Sequence, residues 1–147
     1  VKRLAERCGV AGDTVRFLPY QPREDLPYTL TAGDASLVTV SDGMKGVCVS
    51  SKLYTGMAAG TPILVISEPG DDEATIVEQH DAGTHVTQSD VAGVVSAVRR
   101  WLSSPGLVDR QGKSARTAFE NNYTKARAID EYYELLTGHP PSGQPTV

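Results

Sequence analysis

The sequence has few of the features that mark membrane, secreted, metal-binding or nucleic-acid-binding proteins. No apolar run approaches the roughly 20 residues needed to span a bilayer, and no cleavable signal pattern opens the sequence. Only two cysteines are present, Cys8 and Cys48, far apart in the chain. With no secretory signal they read as reduced thiols, so the expected location is cytoplasmic. Basic residues do not dominate: the net charge of −4 argues against a general nucleic-acid binder, which needs a basic surface to neutralise phosphates. His80, His85 and His139 are scattered without ligand spacing, and neither a metal nor a cofactor is expected. No Gly-x-Ser-x-Gly, Cys-x2-Cys or Gly-x-Gly-x2-Gly motif occurs. Gly112-Lys113-Ser114 resembles the end of a P-loop, but Leu107 stands where its first glycine belongs and no strand precedes it. A helix connection is the simpler reading.

What is present suits one globular domain: 147 residues, 39% apolar and 22% charged. Apolar spacing predicts a helix over Val1 to Cys8, stopped by Gly9. Thr14 to Leu18 reads as a strand ended by Pro19, and Arg23 to Ala32 as a helix despite Pro27. Ala35 to Val40 reads as a buried strand. A glycine-containing loop from Ser41 to Val49 leads into a helix from Ser50 to Ala59, with Ser50 or Ser51 as cap. Gly60-Thr61-Pro62 closes it and starts a strand to Ile66. A helix capped by Asp71 or Asp72 follows, through His80, then a strand from Thr84 to Val86. Ser89 is the expected cap of a helix whose Val91, Val94, Val95, Val98 and Leu102 form one stripe. Helices near Leu107 to Tyr123 and Lys125 to Leu136 follow; Trp101, Tyr132 and Tyr133 are expected in the core, with contact to a missing domain as the alternative.

Strands alternating with helices define an α/β fold, a Rossmann-like parallel sheet with flanking helices. Such sheets bind ligands beyond the C-terminal ends of their strands, where helix N-termini offer free amides. That selects the loops after Leu18 and after Val40. In the second, Gly43 and Gly46 let the backbone approach a ligand closely. Ser50 and Ser51 open a helix with orphan N–H groups, and Lys52 adds a cation in its first turn. These residues fit an anion site or an ordinary capped turn with a solvated lysine. Asp42 reads as a turn-former. The trio Asp71, Asp72 and Glu73 suits the positive end of a helix better than a metal, with Asp72 or Glu73 a lesser candidate for a sugar hydroxyl.

The ordered segments Val15-Arg16-Phe17-Leu18-Pro19, Arg23-Glu24-Asp25-Leu26, Ala32 to Val38, Ser51-Lys52-Leu53-Tyr54 and Met57-Ala58-Ala59-Gly60-Thr61-Pro62-Ile63-Leu64 resemble family 4 glycosyltransferases. The resemblance is to their C-terminal domain, in the GT-B fold, and runs to the closing helices. It implies a donor-binding domain for a nucleoside diphosphate sugar, and transfer with retention, usually without a metal. It implies hexosyl or related transfer in polysaccharide biosynthesis. Residues 1–137 would be a partial domain, the C-terminal half of a GT-B fold with N-terminal strands missing; 138–147 would be a disordered tail. The partner would be an N-terminal acceptor-binding domain, which would also carry any peripheral membrane association. Without it one wall of the cleft is absent, and the chain alone is expected to be inactive.

By position, Arg16, Phe17 and Leu18 resemble the base-binding element, and Ser50, Ser51 and Lys52 the diphosphate and sugar element. No residue is assigned as catalytic. Many members carry a Glu-x7-Glu pair, for the donor sugar and the ribose; here those positions hold Val47 and Thr55. Thr55 offers a hydroxyl where a carboxylate would accept two bonds. This departure keeps open a non-catalytic nucleotide-sugar-binding or interaction module on the same scaffold, and more distantly a sugar-nucleotide epimerase. If the central strands are missing, the segment from Val15 to Leu18 should sit apart from the other strands or pair incorrectly.

Overall fold

A computed structural model describes residues 1–12 and 14–139. Three parallel strands, β1 (Ser36–Thr39), β2 (Ile63–Ser67) and β3 (Gly83–Thr87), form one sheet in the order β1-β2-β3. Ile63 pairs with both Ser36 and Gly83, so the three strands start level, and β1 ends one residue short of β2 and β3. Around them lie α1 (Lys2–Arg7), a 3-10 turn at Arg23–Asp25 running into α2 (Leu26–Thr31), α3 (Ser51–Ala59), α4 (Asp72–Gln79), α5 (Val91–Ser103), α6 (Pro105–Asn122) and α7 (Lys125–Thr137).

The two faces of the sheet are covered unequally. Alternation along β2 sends Ile63 and Val65 to one side, where they join Val38, Leu53, Met57, Val77, Ala82, Ala115 and Ala118 under α3, α4 and α6. On the other side Leu64 and Val86 meet only Ala97 and Trp101, with Val94, Leu107 and Val108 packed around them. An apolar groove of about 620 Å³ stays open there, between Leu37, Leu64 and Ile66 of the sheet and Val98, Trp101 and Leu102.

That asymmetry corrects two expectations. β1 is an edge strand rather than a buried one: Val38 is buried, but Leu37 is 58% exposed beside the groove that α5 leaves open. The α5 stripe has helical spacing, yet Val91, Val95, Val98 and Leu102 are exposed, and Ala97 and Trp101 do the packing. Trp101 is in the core as expected, its indole N–H donating to buried Gln111 at 2.8 Å. Tyr132 and Tyr133 are not, at 67% and 44% exposed on a helix with no buried residue.

The expected strand at Thr14 to Leu18 is absent from the sheet. Val15 makes an isolated bridge to Ala11, because its amide donates to Val10 and its carbonyl accepts from Gly12, both at 2.8 Å. Those groups are satisfied in a local turn and not by a ladder, so the segment sits apart from the three strands. The cap of α5 is Asp90, whose carboxylate accepts from the Gly93 amide at 2.8 Å, while Ser89 takes φ +65°. Gly112-Lys113-Ser114 lies within α6, not in a connection, so no phosphate-cradling loop exists there. The tail expected from 138 onward lies outside the described residues, apart from Gly138, which caps α7, and His139.

Candidate functional site

The loops after the three strands gather at one edge: 40–50 after β1, 68–71 after β2 and 88–90 after β3. Side chains tie them together. Lys45 donates from Nζ to the Pro69 carbonyl at 3.2 Å, the Gly43 amide donates to Glu68 Oε1 at 3.4 Å, and Gln88 donates to the Val40 carbonyl at 2.6 Å. Gly43 (φ +77°) and Gly46 (φ +69°) both adopt the left-handed backbone, which a side chain would disfavour. The loop folds over the end of β2 and delivers the chain to α3.

α3 begins at Ser51 with Ser50 as N-cap, in extended backbone at φ −68° and ψ 122°. Ser50 makes no side-chain cap bond. Its amide is taken by Glu73 Oε1 at 2.6 Å, across 23 residues of sequence. Glu73 is fully buried in the first turn of α4, and its second oxygen has no hydrogen-bond partner. Asp71 caps α4 by accepting from the Asp72 amide at 3.2 Å. The amides of Ser51 and Lys52 meet no protein acceptor among the described residues, and a helix's first turn supplies none. Both residues are exposed, and the Lys52 ammonium makes no ion pair among the described residues. Two orphan amides, a positive helix end and a free cation thus face solvent together, a combination that attracts anions.

The other residues singled out by sequence are placed less favourably. Thr55 lies one turn further along α3, its hydroxyl donating to the Lys52 carbonyl at 3.1 Å, and lines a shallow cleft with Arg23, Leu26 and Leu30 of the preceding helices. Phe17 and Leu18 are exposed, in a segment without regular structure. No hydrogen bond among the described residues joins Arg16, Phe17 or Leu18 to the start of α3. Behind the first turn of α3, Tyr54 stacks at a tilt on Tyr123, ring centroids 5.1 Å apart. Burial first, then the charges of Tyr123, Glu73 and Asp72, raise the Tyr54 phenol above its ordinary value of 10.0. Sequence reasoning gave Glu73 no role at the α3 turn. Ser50 followed by Leu53 lacks the capping-box glutamate, and that deficit was the available signal.

A parallel α/β sheet with an anion-attracting helix start at its C-terminal edge defines a class of ligand-binding domains. Comparison with known proteins narrows the class: the glycosyl transferases group 1 family matches residues 1–118, and the chain belongs to that family. It is 28% identical over 133 residues to a probable glycosyltransferase, WbjE, of Pseudomonas aeruginosa, covering 88% of this chain and 31% of that protein. Its fold matches sucrose-phosphate synthase from Thermosynechococcus elongatus with a TM-score of 0.72 at 21% identity, over 93% of this chain and 34% of that one. The chain spans about a third of the length of each.

Proposed function

We propose that this chain is the donor-binding domain of a retaining glycosyltransferase that uses a nucleoside diphosphate sugar. The observation that carries the reading is the start of α3, where the Ser51 and Lys52 amides and the Lys52 ammonium are open at the C-terminal edge of the sheet. In sugar transfer the bond between the anomeric carbon and the diphosphate oxygen breaks, and negative charge grows on the departing diphosphate. Fixed donors already aimed at that position stabilise the transition state more than the ground state, because no dipole has to turn during the reaction. Gly43 and Gly46 keep the loop backbone clear for the sugar, and Arg16, Phe17 and Leu18 supply the base-binding side. The acceptor belongs to an N-terminal domain of the full-length protein, which would also carry any peripheral membrane contact. No helix among the described residues is long and apolar enough to cross a membrane.

Full-length protein incubated with UDP- and GDP-sugars should release nucleoside diphosphate and transfer sugar to a lipid-linked acceptor. Proton NMR of the product should show the donor's anomeric configuration. Absence of both hydrolysis and transfer, with nucleotide binding intact, would favour the second reading, a non-catalytic nucleotide-sugar-binding module. Val47 and Thr55, where the resemblance to family 4 glycosyltransferases implies a Glu-x7-Glu pair, are the observation that supports it.

A further inference from the structure

We infer that Glu73 is a positioning residue, which holds the donor-binding turn of α3 in place from a neighbouring helix. The inference rests on the reading of α3 as the diphosphate site. In a capping box, the N-cap amide is bonded by a glutamate or glutamine three residues later in the same helix. In α3 that position is Leu53, which is buried in the core and has no acceptor. The missing bond is made instead by Glu73, 23 residues away, in the first turn of α4.

The energetics of this carboxylate call for an explanation. Glu73 is wholly buried, and one of its oxygens is unpartnered. Isolating such a charge from water is expensive unless the surroundings are positive. Here they are: Glu73 bonds the N-terminal amide of α3 while sitting in the first turn of α4, so two helix dipoles present their positive ends to one carboxylate. The outcome is a fixed joint between two helices at the edge where the ligand loops meet. It also divides the amides of the turn. That of Ser50 is consumed by protein, and those of Ser51 and Lys52 are left for the ligand.

The test compares UDP and GDP binding, by calorimetry, to wild-type, Glu73→Ala and Glu73→Gln full-length protein, with thermal melting alongside. Glutamine keeps an acceptor for the Ser50 amide and drops the charge; alanine removes both. Glu73→Ala should bind about tenfold more weakly, the loss expected from one charge-assisted hydrogen bond. Glu73→Gln should stay within about threefold of wild type, since the geometry survives. Equal affinity for wild type and Glu73→Ala overturns the inference while leaving the diphosphate site standing. Equal weakening by both variants also overturns it, because the charge itself would then contact the ligand. Wild-type protein that binds neither nucleotide removes the underlying reading instead. Should Glu73→Ala not fold, Ser50→Pro reads the same bond from the other side: it deletes the donor at a φ of −68° that proline already prefers. It should weaken binding as Glu73→Ala would, and wild-type affinity in Ser50→Pro overturns the inference.

Discussion

Replacing Gly112 by alanine sets local propensity against tertiary packing, and the packing of α6 on α3 should win. Gly112 lies inside α6, in ordinary helical backbone, where alanine is favoured over glycine by about 1 kcal/mol. Propensity alone therefore predicts a more stable protein. The structure predicts the opposite: a methyl group on Gly112 would overlap the Gly60 carbonyl oxygen and stand 3.3 Å from the carbon behind it. Both belong to the turn that ends α3, where Gly60 takes φ +72° as a left-handed cap. The obstruction is backbone and cannot rotate aside, so α6 must shift away from α3. Overpacking of this kind costs about 1–3 kcal/mol, occasionally more. An obstruction made of backbone belongs in the upper half of that range, so after the propensity gain a net loss of about 1–2 kcal/mol remains. In a domain of this size that lowers the melting temperature by about 2–4 °C per kcal/mol. Gly106, in the first turn of the same helix, has nothing within 4 Å of its would-be methyl, and supplies the control. Gly106→Ala should leave the melting temperature unchanged or slightly raised. The assay is thermal and urea denaturation of the full-length protein and the two variants. A Gly112→Ala protein as stable as wild type, or more so, would refute the packing described between α3 and α6. The contact matters for function because α6 holds the far end of α3, through Gly112 and through Arg116, which donates to the Ala58 carbonyl.

Lys52→Ala should weaken binding of the nucleoside diphosphate by about tenfold or more, the scale of a charge-assisted phosphate contact, whereas Lys113→Ala on α6 should leave it unchanged. Equal effects in nucleotide titrations would refute the placement of the site. Tyr54 and Tyr123 should both titrate above the ordinary 10.0, since burial disfavours the phenolate. A raised value means that the folded state favours the protonated phenol. The resulting contribution to stability is complete below pH 10.0 and lost as pH rises through the folded-state values. Ultraviolet titration should show a late-ionising component that shrinks in Tyr54→Phe; an unchanged curve would count against that burial.

The elements most legible in the sequence were those punctuated locally. Gly60-Thr61-Pro62 marked the end of α3 and the approach of β2, and the β-branched runs gave β1, β2 and β3 to within a residue or two. Local patterning does not say what covers a strand or a helix face, and the errors lie there. The run at Thr14 to Leu18 has strand-forming residues but no ladder partner, so its backbone closed a turn with Val10 and Gly12. The valines of α5 have core periodicity, yet that face of the sheet is open around Leu37. Ser89 and Asp90 are both good caps by composition, and the reach of the carboxylate to Gly93 decided between them. At the candidate site, the helix start at Ser50 and Ser51 was readable because capping is local. The bond from Glu73 to Ser50 was not, since nothing in either neighbourhood names a partner 23 residues away.

The central claim is that the first turn of α3 holds the diphosphate of the donor. The most direct measurement is an amide NMR titration of the full-length protein with UDP and with GDP. The account predicts saturable shifts for one of them, largest at Ser51 and Lys52 and smaller at Ser50, whose amide is already bonded to Glu73. Saturable shifts centred elsewhere, for instance on Leu64 and Val98 in the open apolar groove, would contradict it, as would no saturable shift with either nucleotide.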